Sequence, residues 1–246
     1  MKLIESAAEY LQVFEISNKM DWFKSERNWS EKVDLKQAIG SAAEFVLRNF
    51  HIARPEIKFP EGSSMLAVMV ATGFASETEA VSGFLNLMHQ HFFLDFFSLN
   101  WGYMRTRLDF FEKLIKERLP LLESHFSLLR LHSNMFFLPW LLSGFALILP
   151  FKAAVRVWDG FLLLGESHMF AAAIAFLSMY EHRLMTQGLA GCIEALLGQS
   201  KETAFDEEKF FECLKNESVS ADRLAAWLST QVLAEEKQEL FDLLLV

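Results

Sequence analysis

Apolar residues return every three or four positions along almost the whole chain, and no run of alternating β-branched residues breaks that rhythm. Such spacing puts one apolar stripe on a helix, whereas a half-buried strand would need a period of two. The pattern predicts helices near 2–24, 31–51, 61–74, 77–93, 99–118, 120–131, 135–147, 150–164, 167–187, 188–199, 206–216 and 220–245. Local chemistry supports several of these ends. Ser76 and Glu79 have the spacing of a capping box, and Ser30 is a bare N-cap. Pro120 and Pro150 suit first helical turns, and Gly165 suits a terminator. The fold class is therefore all-α, in one multi-helix domain.

No Gly/Ser/Pro-rich linker, repeat or low-complexity block divides the chain. The one shift in composition follows residue 200, where "KETAFDEEKFFECLKNESVSADR" is more charged. The expected organisation is a domain over 1–200 and a helical extension over 201–246, packed on the same domain. Residues 133–151, "SNMFFLPWLLSGFALILPF", carry no charge and approach the length of a membrane span. Pro139 and Pro150 interrupt them, and Lys152 and Arg156 follow, so buried core helices are expected instead.

Charge and chemistry exclude several function classes. Of 246 residues, 52% are hydrophobic and the net charge is −9, which opposes binding to nucleic acid or anionic lipid. Cys192 and Cys213 lack metal-ligand spacing, and Glu5 and Glu9 interrupt any signal-peptide core. These features suit a cytoplasmic setting. His89 and His91, with Asp95 near them, stand two apart on a predicted helix and point about 200° from one another. His125, His132, His168 and His182 sit singly along the chain. No metal is expected. Neither a Gly-x-Ser-x-Gly elbow nor a Gly-x-x-x-x-Gly-Lys loop is present, so no cofactor and no nucleotide site of its own are expected.

"FKAAVRVWDGFLLLG" (151–165) resembles the signature of the TBC (Tre-2/Bub2/Cdc16) domain, the all-helical fold of GTPase-activating proteins for Rab GTPases. The matching positions are Arg156, Val157, Trp158, Asp159 and Gly165. "LPLLESHF" (119–126), "FFLPWLLSGFALILP" (136–150), "VLRNFHIARPEIKFPEGSSMLAVMVA" (46–71) and "ETEAVSGFLNLM" (77–88) follow the family pattern in order and spacing. The resemblance runs over roughly residues 5–185. Within it, Arg156, Trp158 and Asp159 read as structural: an indole in the core with an ion pair or cap beside it.

The family lends two side chains to the GTPase: an arginine from an Ile-x-x-Asp-x-x-Arg motif and a glutamine from a Tyr-x-Gln-Gly motif. An arginine supplied in trans is worth on the order of 10³–10⁵ in rate. At the second motif this chain reads Phe59-Pro60-Glu61-Gly62. Glutamine both donates and accepts, whereas an ionised glutamate only accepts and adds negative charge beside the γ-phosphate. At the first motif the best register is Asn18-x-x-Asp21-x-x-Lys24, with lysine in place of arginine. Lysine is a point charge without the planar fork, and Arg27, one turn on, is the nearby arginine. A register on Asp34 and Gln37 has no charge at the finger position. The resemblance thus implies a module that binds a Rab-type small GTPase, or a subunit of a larger assembly, with degenerate finger positions at Lys24, Arg27 and Glu61. The alternative is an activator that uses those residues in altered roles. Glu61 also suits a first helical turn on electrostatic grounds alone.

Overall fold

The computed structural model describes residues 35–55, 57, 63–97, 101–198 and 205–230. They form helices α1 (Leu35–Ala53), α2 (Ser63–Gly73), α3 (Glu77–Met88), α4 (His91–Phe97), α5 (Trp101–Arg118) and α6 (Pro120–Leu129). A 3₁₀ turn (Ser133–Met135) precedes α7 (Phe137–Leu142), α8 (Phe151–Leu164), α9 (Ser167–Met185), α10 (Leu189–Leu196) and α11 (Glu207–Asn216). A further helix, α12, covers 221–230. No strand occurs among the described residues. The expected all-α class is what the structure shows.

Helix α9 is the centre of the larger half. Its run Met169–Leu177 is buried on every side, as expected of a helix without a polar face. Four alanines in that run let neighbouring backbones approach closely, at no cost in helix propensity. Helices α5, α6, α8, α10 and α11 all pack against it. Helices α1, α2 and α3 form a second cluster of mutual contacts, and α4 bridges α3 to α5. Phenylalanine supplies much of the filling. Phe111 stacks on Phe137 at 3.7 Å, Phe110 meets Phe170 edge-on at 5.3 Å, and Phe50 meets Phe84 at 5.2 Å.

Local rules set most helix ends. The Ser76–Glu79 capping box is present in both directions, and Pro120 opens α6. Gly165 ends α8 at φ 79°, a left-handed angle that favours glycine, with its N–H on the Phe161 carbonyl. Three boundaries differ from the sequence expectation. The helix expected over 77–93 is two helices, because His89 caps the first with its backbone N–H and donates from Nδ1 to the Leu85 carbonyl at 2.7 Å. Pro150 is the N-cap of α8, extended at ψ 143°, instead of a first-turn residue.

The third difference is the helix expected over 135–147. It shrinks to the six residues of α7, followed by successive turns through 148. There Gly144 (φ 57°) and Phe145 (φ 64°) are left-handed. Two indoles hold this path: Trp140 Nε1 donates to the Leu196 carbonyl at 2.7 Å, and Trp158 Nε1 to that of Gly144 at 2.9 Å. The uncharged stretch is thus folded into short buried pieces. No helix among the described residues is long and apolar enough to cross a membrane.

Candidate functional site

The loop from α1 to α2 is where the resemblance places one catalytic position. Its first part is anchored: Arg54 N–H donates to the Phe50 carbonyl at 2.8 Å, and Ile57, 4% exposed, donates to that of Arg54 at 3.2 Å. After the loop, the chain dives into the core at once, since Ser64 and Met65 are already buried. Phe59, Glu61 and Gly62 lie between these anchors and outside the described residues. Asp21, Lys24 and Arg27 also lie outside them, as do the predicted helix over 2–24 and the Ser30 cap. The structure therefore brings none of the finger positions together or apart.

The Trp-Asp element is described in full. Helix α8 buries Ala153, Ala154, Val157, Trp158 and Phe161 on one stripe. The Trp158 ring stacks on Phe93 of α4 at 5.5 Å and meets Phe161 edge-on at 5.8 Å. A Cβ on Gly144 would come within 2.2 Å of its Nε1. Glycine at 144 thus serves two needs, the left-handed backbone and the close approach of the indole. The indole belongs to the core, as expected. The ion pair beside it joins two helices: Arg156 reaches Glu207 of α11 at 2.7 Å, and its guanidinium lies 3.5 Å over the Phe211 ring. Asp159 is exposed.

Sequence reasoning missed the most buried ion pair of the described residues. Arg107, 4% exposed in its side chain, donates from Nε and Nη2 to the two carboxylate oxygens of Glu166, the second contact being 3.3 Å. Its Nη1 also donates to the Tyr103 carbonyl at 3.2 Å, and its guanidinium lies 5.7 Å over the ring of Phe92 and 5.8 Å over that of Phe96. The pair ties α5 to the α8–α9 corner and closes over α4. A signal was present in the pattern: Arg107 shares a helical face with Met104, Leu108 and Phe111, all buried. A charge in a core-facing register needs a partner.

Among the described residues, histidines and cysteines form no constellation, and no group of three His, Cys, Asp or Glu could hold a metal ion. His89 caps α3, and His125 Nε2 lies 3.0 Å from the Gln187 carbonyl. Burial pushes the Cys192 thiol up, so it is a poor thiolate; its Sγ lies 3.4 Å from the Leu184 carbonyl.

Comparisons with known proteins agree with this architecture. The Rab-GTPase-TBC domain model matches residues 26–185. Among curated proteins, TBC1 domain family member 12 of Xenopus tropicalis is 27% identical over 169 residues, covering 69% of this chain and 24% of the relative. Human TBC1 domain family member 14 is 28% identical over 136 residues, covering 55% and 20%. The chain thus matches about a fifth to a quarter of the length of these relatives. In fold, it is similar to the Chlamydomonas flagellar RabGAP TBC domain, with a TM-score of 0.61 at 19% identity, covering 87% of this chain and 71% of that one. It is also similar to the Ypt/Rab-GAP domain of Gyp1p, with a TM-score of 0.59 at 15% identity, covering 93% and 80%. With a family model spanning well over half its length, a matching all-helical fold and a Trp-Asp helix seated in the core, the chain belongs to the Rab-GTPase-TBC domain family.

Proposed function

We propose that this chain is a TBC module that binds a Rab-type small GTPase, or holds a subunit of a larger assembly, without supplying finger chemistry of its own. The observation that carries this reading is Glu61, an anion where the family's Tyr-x-Gln-Gly motif carries the residue that positions water. A carboxylate there sets negative charge against a phosphoryl group whose own charge must be dispersed. Lys24 in the arginine register weakens the second half of the apparatus in the same direction. Relatives named as Rab-GAP domains support the choice of a Rab-type GTPase as partner.

We read residues 1–200 as the TBC domain and 201–246 as an extension carried on it. The contact of α11 with α9 and the bond from Trp227 of α12 to α5 support the packing of that extension on the domain. The proposed setting is cytoplasmic, with any membrane attachment supplied by partners.

Single-turnover GTP hydrolysis by a panel of Rab GTPases, with and without the full chain, tests the reading. The expected outcome is binding without acceleration, and a gain of turnover in the Glu61→Gln plus Lys24→Arg variant. Acceleration of about a hundredfold or more that is lost in Arg27→Ala or Lys24→Ala would replace this reading with that of an active GTPase activator.

A further inference from the structure

Helix α6 leaves α5 at a sharp corner, and the space between them is a cleft of about 190 Å³. Nucleotides and drug-sized ligands occupy pockets of roughly 300–1,000 Å³, so this one has room for a single long side chain. Its floor is apolar. Phe126 and Phe136, both buried, line it and pack edge-on at 5.7 Å.

Two carboxylates stand over that floor, and each is held by a hydroxyl. Ser133 Oγ donates to Glu112 Oε1 at 2.7 Å, and Ser127 Oγ donates to Glu123 Oε1 at 3.0 Å. The hydroxyls fix the two carboxylates and leave each a second oxygen to accept from a ligand. Arg130 is the one guanidinium lining the cleft. It holds the left-handed cap of α6 at φ 55°, with its N–H on the Ser127 carbonyl at 3.1 Å. Two carboxylates against one guanidinium, with His132 as the other basic group of the lining, oppose an anion and favour a cation.

We propose that this cleft is a docking site for an arginine side chain presented by a partner polypeptide. An arginine fits both parts of the cleft: its fork matches a carboxylate, and its apolar stem suits the Phe126–Phe136 floor. The surroundings point to a polypeptide instead of a free small cation. Leu128, 84% exposed, follows Ser127, and Met135, 42% exposed, stands next to Phe136. Each is the chain neighbour of a lining residue, and both offer exposed apolar surface that residues on either side of the arginine would cover, giving an anchor with a water-excluding rim. The chain's net charge of −9 favours approach of a basic segment.

The test is an NMR titration of the isotope-labelled full chain with acetyl-Leu-Arg-Leu-amide, repeated with citrulline in place of arginine. Citrulline keeps the shape and removes the charge. Shifts confined to residues around Glu112, Glu123 and Arg130–Ser133 are expected, with affinity at least about tenfold weaker for the citrulline peptide. The variant Glu112→Gln plus Glu123→Gln keeps both acceptors for Ser133 and Ser127, and should weaken the arginine peptide by at least about tenfold. Leu128→Ser should weaken it severalfold. Equal affinity of the two peptides, unchanged binding in the double variant, shifts located elsewhere, or no saturable binding would each overturn the proposal. Acetyl-arginine-amide binding as tightly as the tripeptide would overturn its assignment to a polypeptide partner.

Discussion

Two seams of this molecule close with the same bond and hold by different physics. In the inner seam, Trp158 of α8 donates its indole N–H to the Gly144 carbonyl and is 6% exposed, among the rings of Phe93 and Phe161. In the outer seam, Trp227 of α12 donates to the Thr106 carbonyl at 3.0 Å but is only half-buried, with Lys113 Nζ lying 4.7 Å over its ring. The outer seam is laced with surface charge. Arg223 grips both oxygens of Glu117 at 2.8 and 2.7 Å, Arg118 reaches Glu217 at 3.4 Å, and Arg156 reaches Glu207. The inner seam lies within the span matched by the family model, and the outer seam joins that span to helices beyond residue 185. The family part is thus held by shape and a dry hydrogen bond, while its extension adds exposed ion pairs to the packing of the buried Phe210, Leu214 and Leu224.

The largest expected effect breaks the inner seam. Trp158→Ala should cost about 3–5 kcal/mol, the range for deleting a large buried ring, read as a lowered urea midpoint at unchanged slope. It also strips the Gly144 carbonyl of its donor. A loss under about 1 kcal/mol would mean that the indole is not a keystone.

Next comes Arg107. Arg107→Ala leaves Glu166, 16% exposed in its side chain, without its buried partner, and should cost about 3–5 kcal/mol. The double variant Arg107→Met plus Glu166→Leu should recover most of that loss, because an apolar pair needs no desolvation. If the single and double variants were equally unstable, packing over Phe92 and Phe96 would be the main role of Arg107, and the ion pair would be secondary.

These seams differ in how readable they were. Most helix positions among the described residues follow from the three-to-four rhythm, and the capping box at Ser76 and the terminator at Gly165 follow from local chemistry that needs no distant partner. The path from Leu142 to Pro150 did not, because its left-handed turns depend on two tryptophans, 140 and 158, finding carbonyls at 196 and 144. An ion pair or cap was expected beside Trp158 with no partner named, and the carboxylate that pairs with Arg156 arrives from residue 207. Tertiary partners of long side chains leave no periodic trace in a sequence. The candidate finger residues are the opposite case: Glu61, Lys24 and Arg27 were legible only through the resemblance, and they lie outside the described residues.

A smaller effect sharpens the comparison through salt. Arg223→Gln removes the charge from an exposed bidentate pair and should cost about 0.2–1 kcal/mol at low ionic strength. Near 1 M salt the Debye length is about 3 Å, and most of that cost should vanish. The cost of Trp158→Ala should stay the same in both buffers. Parallel urea titrations of the two variants at low and high salt check this, and a salt-independent Arg223→Gln would place the outer seam under packing control.

The last effect belongs to the inner seam and is read by acid instead of salt. His168 stands in the first turn of α9 against Gly160 of α8, where an added Cβ would come within 2.1 Å of Nε2. Burial lowers its pKa below the ordinary 6.5, and the N-terminal end of a helix disfavours a cation in the same sense. Above that value both folded and unfolded chains carry a neutral imidazole, so His168 adds no pH dependence. As the pH falls below it, the unfolded chain takes up a proton that the folded one still refuses, and stability declines until the folded pKa is passed. Part of the drop in melting temperature between about pH 7.5 and about pH 5.5 should therefore disappear in His168→Gln. A pH profile unchanged by that substitution would show that the imidazole can turn to water when protonated, and that the α8–α9 contact is looser than the indole seam beside it.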